Sequence, residues 1–166
     1  MKELAERMYS EALDRLHDAE ILSCSLAKAS DTDSIIRVLV LEVLIKCALL
    51  LSLGERQTGH DYHVLWEKFS SSDIDEILMH STRRSSRAVD LSNVRKLLDA
   101  YKHVFLKARY YYEIRASQTH EQVAQAGLNW LERGSLLEEA DVVYYAAELE
   151  SLINGLSGFI EARLKA

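Results

Sequence analysis

The complete absence of proline from a chain of 166 residues restricts this fold more than any other feature. Sheet proteins of this size need frequent turns, and turns are where proline and glycine concentrate. Here the six glycines, at 54, 59, 127, 134, 155 and 158, leave long uninterrupted stretches. Such a chain is expected to fold as long helices: an all-α, up-and-down helical bundle of four to six helices. With 48% hydrophobic and 28% charged residues it suits one domain, residues 1–166, large enough to bury a sizeable core.

The apolar spacing places the helices. Leu4, Met8, Ala12, Leu16, Ala19, Leu22 and Leu26 recur at three and four and predict an amphipathic first helix. Ser30, Asp31, Thr32 and Asp33 supply capping oxygens and first-turn negative charge for a second helix ending at Gly54. That helix is apolar nearly all round, so other helices or a second subunit must cover it. A short helix is expected from His60 to about Phe69, and another from Asp73 through Ile74, Ile77 and Leu78. The rhythm Val94, Leu97, Leu98, Tyr101, Val104, Phe105, Ala108, Tyr111, Tyr112 predicts a long helix from near Ser92, with Tyr111 and Tyr112 on its core stripe. Arg109, eleven residues beyond Leu98, falls about 20° from it around the helix and flanks that stripe. Residues 117–134 fit either a short helix or an ordered connection, and a last helix is expected from about Leu136 to Leu164, with Gly155 and Gly158 marking close packing or a bend.

Several function classes fall away. The net charge of −6 and pI near 5.5 give no overall attraction to phosphate backbones, so any nucleic acid needs a local patch. The stretch Ile35 to Leu53 contains Arg37, Glu42 and Lys46, which are costly in lipid, so no membrane partner is expected. The opening MKELAERMYSEALDRL lacks the apolar run of a secretion signal. Cys24 and Cys47 sit among apolar residues without metal-ligand spacing and read as core filler in a reducing, cytoplasmic setting. Neither a glycine-rich phosphate loop nor a nucleophile elbow occurs, which removes ATPase and serine-hydrolase chemistry.

The residues that carry candidate chemistry are few. Glu42 and Lys46 stand four apart in the favourable order for a helical ion pair, or meet partners elsewhere. His60 and His63, three apart and next to Asp61, open a metal site only if a third ligand joins them, and none stands at useful spacing. His60 then caps or packs near the helix start. Arg83, Arg84 and Arg87 form the one concentrated basic patch, suited to a helix C-terminus or to phosphates.

The segment Leu44-Ile45-Lys46-Cys47-Ala48-Leu49-Leu50-Leu51, followed by Gly54, Gly59-His60-Asp61 and Leu65, resembles the HEPN family (higher eukaryotes and prokaryotes nucleotide-binding). Phe105-Leu106-Lys107-Ala108-Arg109-Tyr110-Tyr111-Tyr112-Glu113 is similar to a second feature of that family, an arginine, tyrosine and glutamate series late in a long helix. The resemblance spans roughly residues 35 to 115 and implies a HEPN-like bundle of four to five helices. It further implies a metal-independent RNA endonuclease of toxin–antitoxin or phage-defence systems, acting as a homodimer on RNA or another nucleotide, with a protein antitoxin as a further partner and no cofactor.

The family's catalytic pattern is an arginine followed by a histidine after four to six residues. Arg115 and His120 fit it with four between, and Arg56 and His63 with six. Ala116 departs from the polar residue usual after that arginine. The chemistry suits RNA: an imidazole takes the 2′-hydroxyl proton while a guanidinium holds the phosphate. By this reading Arg115 and His120 are catalytic, and Arg109, Glu113, His60, Asp61, Glu42 and Lys46 bind substrate or support them. A non-catalytic interaction or dimerisation module that retains the fold is the alternative, with Arg115 and His120 as a solvated loop pair.

Overall fold

The structure, a computed structural model, describes residues 1–25, 32–84, 88–107 and 110–166, with Arg84 and Tyr111 described in their backbone alone. Helices α1 (Lys2–Ser25), α2 (Thr32–Leu53), α3 (Tyr62–Trp66), α4 (Ser71–Arg84), α5 (Val94–Lys107), α6 (Tyr111–Ile114), α7 (His120–Glu132) and α8 (Ala146–Lys165) follow one another, and no strand occurs among the described residues. The chain is all-helical, as the missing prolines require.

Helix α2 is the axis of the core. Ten of its residues are buried, among them Val38, Leu41, Leu44, Ile45, Ala48 and Leu49, which no amphipathic surface helix would show. Helices α1, α8, α5 and α3 cover it within the same chain. Its apolar circumference therefore requires no second subunit.

On α1 the buried residues are Ala5, Ala12 and Ala19, seven apart, with Leu4, Met8 and Leu16 packed at the margin. Small side chains on the contact line let the two backbones approach closely. The Cys47 thiol of α2 lies 3.3 Å from the Ala5 carbonyl oxygen, to which it donates. Burial pushes that thiol up to about 12, so it is packing material. Cys24 departs from expectation: it is exposed, because α1 at that level has turned its stripe of 5, 12 and 19 away from position 24.

Helices α4 and α8 meet through glycine. A Cβ at Gly155 would come 2.6 Å from the Ile77 carbonyl oxygen and collide with the Ser81 hydroxyl, and one at Gly158 would come 2.9 Å from the His80 ring. Close packing is thus the role of both glycines. Ser151 donates to the Ser81 carbonyl across this contact (3.0 Å), and Arg163 holds Asp73 and Glu76 from the far end of α8.

Two expected helices are shorter than their periodicity suggests. The long helix from Ser92 ends, as described, at Lys107, and Tyr111–Ile114 is a separate turn. Tyr112 is 72% exposed there, not on a core stripe, because Tyr110 just before this turn leaves helical geometry (φ −128°, ψ 42°); Ala108 and the Tyr111 side chain lie outside the described residues. The last helix begins at Ala146, not near Leu136. Gly134 and Ser135 hold positive φ (89° and 55°), Leu137–Glu139 make a 3-10 turn, and the Tyr145 carbonyl accepts from the Tyr101 hydroxyl (2.9 Å). That bond clamps the approach to α8 against α5.

Candidate functional site

Two places gather the charged residues singled out by sequence. The first lies where α2 meets the segment before α3. Glu42 has a side chain only 5% exposed, and Lys46, one turn on, donates to its Oε1 at 2.7 Å. The His60 ring meets the same oxygen through Nδ1 at 2.9 Å while 74% of its side chain faces solvent. His60 precedes α3 instead of belonging to it, since Asp61 is the helix N-cap. His60 and His63 therefore do not share a helical face, and no metal-binding cluster exists among the described residues.

Asp61 accepts from the Val64 amide (3.3 Å) and pairs with Lys102 of α5. The Lys102 hydrogen bond first, and the Val64 amide second, hold its carboxyl below the usual carboxylate range. The buried Tyr62 hydroxyl is directed to Glu42, and burial first, then the Glu42 charge and its hydrogen bond, raise the Tyr62 pKa. Together these contacts tie α2, the His60–Asp61 entry to α3, α3 itself and α5 into one knot, in which most polar atoms are committed to each other.

The second place is an open cleft of about 490 Å³ beside α7. Arg115, which ends α6, lines it and donates through Nε to Asp141 Oδ2 at 2.6 Å and through a terminal nitrogen to Gln118 at 3.2 Å. Arg133, at the C-terminus of α7, also lines it and pairs with Glu139 at 3.2 Å. Trp130 of α7 is a further lining residue, its indole N–H donating to the Leu136 carbonyl at 2.9 Å. Each arginine of the wall thus has its own carboxylate. Helix α7 is set by a capping box in which Thr119 accepts from the Gln122 amide and the Gln122 side chain accepts from the Thr119 amide. None of its residues is buried.

His120 is the first residue of α7, exposed, and does not line the cleft. Of the expected pair, Arg115 alone lines this cleft. Glu113 is exposed on α6, and Arg83 is exposed near the end of α4. Arg84 closes α4 with its side chain outside the described residues, and Arg87 and Arg109 also lie outside them.

Protein-family models, curated proteins and solved structures were each compared with this chain, and none matches. Its site is read from its own geometry. Asp141, Trp130 and Arg133 were not reached by sequence reasoning, because periodicity does not say which residues will face a cleft. The capping box Thr119-x-x-Gln122 was legible and would have placed α7.

Proposed function

We propose that this chain is a HEPN-like helical module that cleaves RNA without a metal ion and works as a homodimer. The observation that supports it is the seat of Arg115: a guanidinium on the wall of a roughly nucleotide-sized cleft, five residues ahead of a histidine. In the reaction, His120 takes the proton of a 2′-hydroxyl, the 2′-oxygen bonds to phosphorus to give a 2′,3′-cyclic phosphate, and the P–O5′ bond breaks, the leaving 5′-oxygen taking a proton from water. Arg115 holds the phosphate oxygens as charge builds on them, exchanging Asp141 for the substrate. Because His120 stands outside the cleft of its own chain, the pair is completed by His120 of a second copy. A protein antitoxin that covers the cleft, in a toxin–antitoxin or phage-defence setting, fits the same reading.

The test is incubation of the purified chain with RNA in excess chelator. Cleavage is expected to persist, and Arg115→Ala to slow it by roughly 100-fold or more, as loss of a group that stabilises developing charge does. Intact RNA, or unchanged rates for both Arg115→Ala and His120→Ala, rejects the reading.

The Arg115–Asp141 pair favours a second reading, a non-catalytic interaction module in which the arginine braces the turn into α8. That module would form a stable oligomer or partner complex and leave RNA intact.

A further inference from the structure

We propose that the cleft beside α7 is a base pocket, in which Trp130 stacks an unpaired base of single-stranded RNA. The choice of RNA as ligand rests on the function proposed above; the recognition mode is independent of whether cleavage follows. Three observations carry it.

The cleft, about 490 Å³, has the size of a small-ligand site. Its cations are matched: Arg115 by Asp141 at 2.6 Å and Arg133 by Glu139 at 3.2 Å. One phosphate can take Arg115 in exchange for Asp141, and beyond that exchange the walls offer no unmatched cation that would select for further charge. The part of the ligand that fills the rest of the cleft is then best without net charge, and a nucleobase is such a part. Finally, the indole N–H of Trp130 is spent on the Leu136 carbonyl at 2.9 Å, which fixes the ring and leaves its π surface as what it offers a ligand. Tyr144, half-buried, also lines the cleft and adds a second aromatic ring. An aromatic platform in a cleft whose arginines are already paired recognises bases by stacking, which a base inside a duplex is not available to do.

The chain provides its own probe. Trp66 and Trp130 are its only tryptophans, and Trp66 is buried against Phe69. Titrating the protein with a short single-stranded 2′-O-methyl oligoribonucleotide, which cannot undergo 2′-hydroxyl attack, should quench the Trp130 emission saturably. A duplex of the same sequence should not. Trp130→Leu should weaken binding of the fluorescein-labelled strand roughly 5- to 150-fold, the range seen when one stacking ring is lost. Trp130→Phe keeps a ring while losing the N–H bond, and should retain most of the affinity. Because the arginines are already paired, affinity should fall only shallowly with salt, with a log–log slope of about −1 or smaller in magnitude.

Equal binding of duplex, or saturable binding with unchanged emission and wild-type affinity in Trp130→Leu, overturns the pocket. So does failure of the strand to bind at all. Quenching by the strand in a protein that leaves ordinary RNA intact keeps the pocket and rejects the nuclease. Cleavage without quenching does the reverse.

Discussion

Glu42 and Arg115 are each a charged side chain met by a partner of opposite sign, and they differ in what surrounds them. Glu42 projects from the central helix, 5% exposed, and receives Lys46 and His60 on one oxygen. Arg115 sits 21% exposed at the end of a four-residue helix, beside α7, none of whose residues is buried. A charge inside the core must be paired in the folded chain, since leaving it unpaired costs several kcal/mol. A charge on an open wall can exchange its partner for water or ligand at small cost. The Glu42 knot is therefore fixed as part of the scaffold, whereas the Arg115 pair can exchange with solvent.

That comparison is broken most directly at the core. Leu44, fully buried on α2, should lose about 2–5 kcal/mol of stability as Leu44→Ala, the transfer loss plus the cavity left behind. A urea midpoint close to that of the wild type would show that α2 is not the axis described.

Asp61 tests the edge of the knot. Its folded pKa is depressed by Lys102, so its charge contributes stability that is complete above the unfolded value, about 3.9, and is lost as pH falls through the lower folded value. Asp61→Asn keeps an N-cap oxygen and removes the charge. At neutral pH the variant should be less stable by about 0.2–1 kcal/mol, a half-exposed pair's range. The difference should fade below about pH 4. A gap that is constant from neutral to acid pH would assign the effect to capping alone.

The smallest effect is expected on α7. Leu131 is 59% exposed, and Leu131→Ala should change stability by less than about 0.5 kcal/mol. A loss that matches Leu44→Ala and grows with protein concentration would mean that a second copy covers α7.

How far the residues themselves announced this structure varies along the chain. Helix α2 was legible because its apolar run is long and glycine stops it at residue 54, and burial follows from hydrophobicity whatever the partner. The close contact at Gly155 and Gly158 was legible as a possibility from two side chains that leave room. Tyr112 was not: it keeps helical spacing with Tyr101 and Val104, yet the helix does not carry it onto the core. Local spacing reports a face only while the helix lasts. The Glu42–Lys46 pair was readable at four residues' separation, but His60, eighteen residues away, and the bond from Lys102 to Asp61 were not.

The sequence by itself determined the all-helical class, the central helix and the charged residues worth following. These depend on missing proline, apolar run length and local spacing, which act within a few turns of chain. Only the tertiary structure decided that α2 is covered by its own chain, that Arg115 meets Asp141 in a cleft that Trp130 also lines, and that His120 is not among the residues lining that cleft. Those facts depend on contacts between residues far apart in sequence, whose geometry is set by how the helices pack and not by any segment alone.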